Sequence, residues 1–197
     1  KARIMTPKFL EAANFAIKAH HGQLRKNVDG VEIPYVTHCF SVALILRNCG
    51  VEDEDTLAAA LLHDTIEDTD TTWSDLESLF GRDVASIVEE LSDDKKLSKP
   101  ERRAAQLAHA PLLTSRAGLI KIADKTDNVE SLCSSPPPWS KSIQLAYMET
   151  ASRVVLAIDT RLIWRGFPED KLKRKFFDTY EAVGDFVLCL TIRFTYQ

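Results

Sequence analysis

A short window in the first half of the chain carries four side chains suited to metal and acid–base chemistry. His63 and Asp64 are adjacent and follow the apolar residues 57–62, and Glu67 and Asp68 come four residues later. On a continuous helix each acid would share a face with the residue four positions before it. An acidic helix end is the ordinary alternative, but carboxylates at a helix C-terminus oppose the helix dipole. The window therefore predicts a metal site with two further carboxylates beside it.

Two residues elsewhere in the chain are also of the type that binds metals. His38 opens an otherwise apolar helix, and Asp124 interrupts the mainly apolar run 119–123. Each has an ordinary alternative, which is a helix cap or surface group for the histidine and an ion pair with a neighbouring lysine for the aspartate. Together with His63 and Asp64 they make a mixed nitrogen and oxygen donor set, which suits Mn²⁺, Mg²⁺ or Fe²⁺ better than thiolate-bound zinc.

These side chains must be positioned by helices, because apolar residues recur three and four apart along most of the chain. The spacing predicts an all-α fold, a multi-helix bundle, and it places His63 and Asp64 inside one continuous helix. The polar connection 23–37 is expected to form a binding loop, and the proline run 136–138 an exposed link. The stretch 188–197 fits either a helix or a strand. The predicted helices span 6–21, 38–49, 52–66, 73–80, 83–91, 98–109, 115–132 and 139–160, and a last one begins at Pro168.

Length, charge and cysteine usage exclude several classes of protein. The 197 residues allow one domain of about 150 residues with an appended segment. A formal charge of −4 lacks the positive field of a duplex-DNA-binding protein. No apolar run reaches the roughly 18 residues of a membrane span, and no signal peptide is recognisable. The four cysteines form no C-x-x-C pair. We therefore expect a cytoplasmic protein without nucleic-acid or membrane partners.

Several segments, taken in order, resemble one known family. The chain is similar to the HD-domain metal-dependent phosphohydrolases, and within them to the alarmone hydrolase domains of the RelA/SpoT homologues, particularly the stand-alone small alarmone hydrolases. The resemblance covers roughly residues 8 to 160 and implies an all-helical HD-domain bundle. Residues 59–70, with the sequence His-Asp-Thr-Ile-Glu-Asp at their centre, are its most specific part. The other matching segments are 16–26, 34–38, 80–81, 88–95 and 120–128.

The resemblance also implies roles for individual residues. The implied ligands of a Mn²⁺ ion are His38, His63, Asp64 and Asp124. The implied acidic pair, which positions or activates the attacking water, is Glu67 and Asp68. The side chains implied to meet the nucleotide are Arg25, Lys26, Asn128 and Tyr147. Residues 1–160 are then the hydrolase domain, and 161–197 a C-terminal helical extension packed on the same domain.

Three positions depart from the pattern of the family. Cys39 stands where proline usually follows the metal histidine, and Asn27 replaces a common Ser or Asp after the basic pair. Glu130 stands where arginine is frequent, and its negative charge weakens the attraction for a negatively charged nucleotide. None of the three removes a ligand. Asp127 is a tempting alternative ligand, but the motif places the ligand at Asp124.

The leading functional prediction is a Mn²⁺-dependent hydrolase that removes the 3′-pyrophosphate from (p)ppGpp to give GDP or GTP and pyrophosphate. A pyrophosphate ester is kinetically inert, so its hydrolysis needs a Lewis acid, an activated water and positive charge near the phosphates. One enzymatic alternative is a related HD phosphohydrolase that acts on an adenosine alarmone or on the 2′-phosphate of NADPH. A non-enzymatic alternative is a nucleotide-binding sensor. The predicted partner is a small-molecule nucleotide, and the sequence predicts no oligomeric state.

Overall fold

The computed structural model describes residues 7–28, 30–158 and 169–195, with the side chains of 171–184 in the last range. Helices follow one another through these ranges without a β-strand, so the predicted all-α fold is confirmed. The α-helices are α1 Pro7–Ala19, α2 Val36–Asn48, α3 Glu54–Leu62, α4 Thr65–Asp68, α5 Trp73–Phe80, α6 Arg82–Leu91, α7 Lys99–His109, α8 Ser115–Ser134, α9 Lys141–Ala157 and α10 Glu169–Thr195, and a 3₁₀ turn at Ala110–Leu112 follows α7.

Helix α8 lies at the centre of the bundle and contacts α2, α3, α6, α9 and α10. Its apolar side chains, such as Ile120 and Ile122, are fully buried. Helix α3 is also enclosed, because all residues from Ala58 to Leu62 are buried. A polar side chain on α8, or at the end of α3, is therefore removed from water and needs partners inside the protein.

Local side-chain bonds fix where several helices begin. Asp53 caps α3 by accepting the amide of Thr56 at 3.0 Å. Capping boxes begin α5, through Thr72 and Asp75, and α7, through Ser98 and Glu101. Such reciprocal bonds satisfy amides that have no partner within the helix. They explain why the predicted starts of these helices agree with the structure within a residue or two.

The predicted continuous helix over 52–66 is wrong. Helix α3 ends at Leu62, His63 and Asp64 form a turn, and the short helix α4 starts at Thr65. The Nδ1 of His63 donates to the carbonyl of Ala60 at 2.8 Å, and the hydroxyl of Thr65 donates to the carbonyl of Leu62 at 2.7 Å. These side chains bond carbonyls of the last turn of α3 and so compete with main-chain donors. His63 and Asp64 therefore lie in a turn between two helices and not on the face of one continuous helix.

The C-terminal helix joins the same core. Leu172, Phe176 and Val183 of α10 are buried with residues of α8 and α9. Residues 188–195 continue α10, so a strand is excluded there. Pro168 and the predicted boundary between 1–160 and 161–197 lie outside the described residues. None of the helices in the described ranges combines the length and apolarity needed to cross a bilayer.

Candidate metal centre and active site

Four side chains from three parts of the chain converge inside the bundle. His38 comes from the first turn of α2, His63 and Asp64 from the turn after α3, and Asp124 from the middle of α8. Donor atoms of His38, His63 and Asp124 all lie within 4.8 Å of one another. The Nε2 of His38 is 3.2 Å from Oδ1 of Asp124 and 3.6 Å from Oδ2 of Asp64. The structure thus brings together all four residues that the sequence proposes as ligands.

The orientation of His63 fits a metal ligand. Because its Nδ1 donates to the carbonyl of Ala60, its Nε2 carries the free lone pair. This Nε2 is buried and has no hydrogen-bond partner among the described residues, although Oδ2 of Asp64 lies 3.1 Å away. A buried polar atom without a partner is unfavourable in an isolated protein. A divalent cation held by His63 and the carboxylates would supply the missing partner.

Asp127 orients His38 by bonding the ring nitrogen that points away from the other proposed ligands. Its Oδ2 lies 2.6 Å from Nδ1 of His38, so that ring nitrogen donates a proton to it and Nε2 faces Asp124 and Asp64. A carboxylate on the far nitrogen is the arrangement that commonly fixes the tautomer of a metal-binding histidine. Asp124, rather than Asp127, groups with donor atoms of both histidines, and its role as a ligand stays a prediction.

Charges in this buried cluster balance one another. Burial alone would raise the pKa of Asp64, but His63 and His38 hold it below its usual range. Burial also opposes ionisation of Asp124, and there Lys125 and His38 lower the pKa well below the usual value. Burial would lower the pKa of His38, whereas its contacts with Asp124 and Asp127 raise it to about 9, so a cation bound at Nε2 would displace a proton from this ring. Both aspartates are therefore ionised at neutral pH and can hold a cation.

Two neighbours that the sequence analysis did not single out hold the carboxylates in place. The hydroxyl of Tyr35 donates to Oδ2 of Asp64 at 2.6 Å, and burial raises the pKa of Tyr35, which keeps it a donor. Nζ of Lys125 lies 3.3 Å from Oδ2 of Asp124. Tyr35 falls in the segment 34–38 that carries the family resemblance, so a signal for it was present. The lysine had been considered only as an alternative explanation for the aspartate.

The acidic pair, Glu67 and Asp68, lies on α4 directly after the turn that holds two of the ligands. Oε2 of Glu67 accepts the amide of Asp93 at 3.0 Å, and Arg102 lies 3.8 Å from the other oxygen. Burial raises the pKa of Glu67. Asp68 instead pairs with Lys95. Each acid therefore lies beside a cation from the segment between α6 and the first turn of α7, and only Lys95 of the two cations falls in a segment that carries the family resemblance.

The residues predicted to meet the nucleotide differ in the number of hydrogen bonds that hold their side chains. Arg25 donates to Asp127 at 2.7 Å and to the side-chain oxygen of Asn128 at 3.0 Å. The amide of Asn128 in turn donates to Asp124. Lys26 is exposed and makes no hydrogen bond or ion pair with another described residue. Arg25 and Asn128 thus adjoin the metal cluster, whereas Lys26 is free at the surface of the described loop.

Tyr147, on α9, is half-buried near the same cluster. Nζ of Lys125 lies 5.9 Å from the centre of its ring, and the ring of Trp139 lies 5.7 Å away. Burial raises the pKa of Tyr147 to about 12, so its hydroxyl stays protonated at neutral pH. The position is compatible with the predicted contact to substrate and equally with packing at the rim of the site.

A thiol also lies within reach of the cluster. The sulfur of Cys39 groups with donor atoms of His63 and Asp64 within the same 4.8 Å limit. Burial raises the pKa of this thiol above its ordinary value, so it is protonated without a metal. The buried cluster therefore contains one soft donor in addition to two imidazoles and two carboxylates.

Comparison with known proteins gives a family and several close relatives. Residues 12–154 match the model of the HD domain family. The chain is 45% identical over 178 residues to a Xenopus tropicalis protein named guanosine-3′,5′-bis(diphosphate) 3′-pyrophosphohydrolase MESH1, covering 88% of this chain and 96% of that one. It is 40% identical over 140 residues to the Escherichia coli bifunctional (p)ppGpp synthase/hydrolase SpoT, covering 68% of this chain and 19% of that one.

A solved structure supports the same relationship. It is described as a metazoan ortholog of SpoT that hydrolyzes ppGpp and plays a role in starvation responses. The two chains superpose with a TM-score of 0.79 at 39% sequence identity, over 90% of this chain and 98% of the other. The likeness therefore extends over almost the whole of that protein.

Proposed function

From the premise that this chain belongs to the HD domain family, and within it to the stand-alone (p)ppGpp hydrolases, we propose that it is a guanosine-3′,5′-bis(diphosphate) 3′-pyrophosphohydrolase. Water would attack the 3′-diphosphate, and the products would be pyrophosphate and GDP or GTP. The observation that carries the proposal is the buried Nε2 of His63, which has no hydrogen-bond partner among the described residues and lies 3.1 Å from Oδ2 of Asp64 in a cluster with His38 and Asp124.

We infer that this cluster holds a divalent ion, and that the ion is Mn²⁺. Two imidazoles with two carboxylates suit Mn²⁺ better than the thiolate-rich sets of structural zinc. When bound, the ion supplies a Lewis acid for the phosphoryl group. The proposed ligands are His38, His63, Asp64 and Asp124.

Glu67 is the better placed of the two acids to accept a proton from the attacking water. Its pKa is raised by burial, and a base whose pKa lies nearer to neutrality transfers protons more effectively. The amide of Asp93 holds one of its oxygens in a fixed position. Asp68, whose carboxylate pairs with Lys95, would orient the water or the lysine rather than take the proton.

The nucleotide would be held by Arg25, Lys26, Asn128 and Tyr147. Arg25 offers a planar guanidinium that can pair with phosphate or stack on a base, although it must exchange its bond to Asp127 to do so. Lys26 adds an exposed positive charge beside it. We place the reaction in the cytoplasm, since Cys39, Cys49 and Cys133 carry free thiols.

The test is product identification with a panel of nucleotides in the presence of Mn²⁺. Equimolar GDP and pyrophosphate from ppGpp are the expected products. Orthophosphate from NADPH, without pyrophosphate from ppGpp, would contradict the proposal and favour the 2′-phosphatase alternative. Tight binding of ppGpp with no product would instead indicate a nucleotide sensor.

A further inference from the structure

A cleft of about 430 Å³ opens between α2 and α8, beside the metal centre. Arg25 and Asp127 are among the residues that line it, and Asp127 bonds both Arg25 and the proposed ligand His38. Arg25, which we propose to meet the nucleotide, thus connects the ligand cluster with this cleft. Its volume lies in the range of small-molecule sites.

The lining of the cleft suits a flat heterocycle better than a chain of phosphates. Ile33, Leu44 and Ile45 contribute apolar surface, and hydroxyl groups of α2 and α8 contribute short polar groups. A polyphosphate would favour an excess of cations, whereas here the two cations, Arg25 and Lys175, are matched by two carboxylates, Asp127 and Glu130. Apolar walls with a few polar groups are typical of a site that holds a planar ring and reads its edge.

Two oppositely charged side chains line the same cleft. Glu130 comes from α8, and Lys175 comes from α10, beyond the residues that match the HD domain model. Neither side chain forms a hydrogen bond or an ion pair with another described residue, so none joins the two. Within the described part of the chain, an acceptor and a donor without partners therefore line one cleft and can serve a ligand.

We propose that Glu130 and Lys175 recognise the guanine base of the substrate and set the preference for guanine over adenine; this rests on the function proposed above. Guanine presents the O6 acceptor beside the N1–H and N2–H₂ donors, so a carboxylate can accept from the donors while an ammonium group donates to O6. Adenine presents a donor, N6–H₂, where guanine has O6, and it lacks the N2 amino group. Lys175 would then face a donor, and Glu130 would lose its partners.

The role proposed here for Glu130 is opposite to the one expected from the sequence. From the sequence, Glu130 is a residue that repels a charged nucleotide. In the cleft it is instead an acceptor for the edge of the base. The two interpretations differ in sign: repulsion predicts that neutralising Glu130 improves every nucleotide alike, whereas base recognition predicts a loss confined to guanine.

The test compares kcat/KM for the guanosine, adenosine and inosine forms of the 3′,5′-bis(diphosphate) with Mn²⁺ present. Glu130→Gln and Lys175→Met are each expected to lower kcat/KM for the guanosine form by about tenfold, mainly through KM, and to leave the adenosine form unchanged or improved. Glu130→Gln should affect the inosine form less, because inosine lacks the N2 amino group. Lys175→Arg keeps a donor and should retain the preference. Arg174→Met removes an equal charge from an exposed neighbour on α10 and serves as the control.

An unchanged ratio of guanosine to adenosine activity in both variants would overturn the inference. So would an equal gain for all three bases in Glu130→Gln, since that result would indicate charge repulsion alone. If the unmodified protein releases no pyrophosphate from any of them, the proposed function fails instead. Calorimetric binding of the guanosine and adenosine forms to the same variants then decides the base preference independently of turnover.

Discussion

The two sides of the active site are built in different ways. At the ligand cluster each histidine has its far nitrogen bonded to an acceptor, and Asp64 and Asp124 each contact a donor besides the histidines. On the nucleotide side, Lys26, Glu130 and Lys175 have no hydrogen-bonded partner among the described residues, and Arg25 is bonded to groups it must release. A buried ion needs ligands oriented in advance, whereas a substrate that enters and leaves needs groups that can exchange partners. From this difference we expect that metal binding is fixed by the fold, and that nucleotide choice depends on a few side chains that have no partner among the described residues.

Removal of a proposed ligand should abolish metal binding at the cluster. His63→Ala is expected to lose both the bound metal and measurable pyrophosphate release, because the remaining donors no longer enclose the ion. Elemental analysis and a pyrophosphate assay on the same sample measure both. Since this change also removes the bond that helps to end α3, Asp64→Asn serves as a second variant and circular dichroism as the check on folding. Normal metal content in both variants would contradict the ligand assignment.

Changes to the acidic pair should separate chemistry from metal binding. Glu67→Gln is expected to lower turnover by about 10²- to 10⁴-fold, the usual effect of losing a general acid–base group, with metal content nearly intact. Asp68→Asn should lower turnover less than Glu67→Gln, because Asp68 pairs with Lys95 at the surface, whereas burial raises the pKa of Glu67 and makes it the better base. Single-turnover kinetics at one pH give both values. Loss of metal comparable with that in His63→Ala would make these residues ligands.

Asp127 joins the two sides, since it bonds both His38 and Arg25. We expect Asp127→Ala to retain the ion but to weaken its binding by about 10- to 100-fold, the usual cost of losing the partner of a metal-binding histidine. The KM for ppGpp should change as well, because Arg25 is released. Asp124→Ala, the matched control, should lose the ion altogether. The opposite pattern in a metal titration would show that the two aspartates have been interchanged.

The smallest effect is expected at Cys39. If the two imidazoles and two carboxylates are sufficient ligands, Cys39→Ala should leave the content of Mn²⁺ and the rate of pyrophosphate release unchanged. A clear fall in both, with restoration by Zn²⁺ only in the unmodified protein, would make the thiol a ligand and zinc the resident ion.

Much of this arrangement could be predicted from the sequence, because it depends on local patterns. Apolar spacing predicts the helices, and the unusual run from His63 to Asp68 predicts the cluster. The break between α3 and α4 was missed because side-chain bonds of His63 and Thr65, rather than helix propensity, decide it.

The partners of the site were missed for a different reason. Lys95 and Arg102 meet the acidic pair only after the chain folds back, and the spacing of apolar residues marks neither contact, although Lys95 lies in the segment 88–95 that carries the family resemblance. The same holds for Lys175, which reaches the cleft from the last helix. Tertiary contacts of charged side chains leave no periodic signal, so spacing alone does not reveal them.

We propose that an ion held by His38, His63, Asp64 and Asp124 is required for pyrophosphate release. The most direct measurement is turnover of ppGpp by chelated, metal-free protein during stepwise return of Mn²⁺, with metal content determined at each step. We predict no turnover without metal and full recovery at one Mn²⁺ ion per chain, with recovery absent in His63→Ala. Undiminished turnover by the metal-free protein would contradict the account.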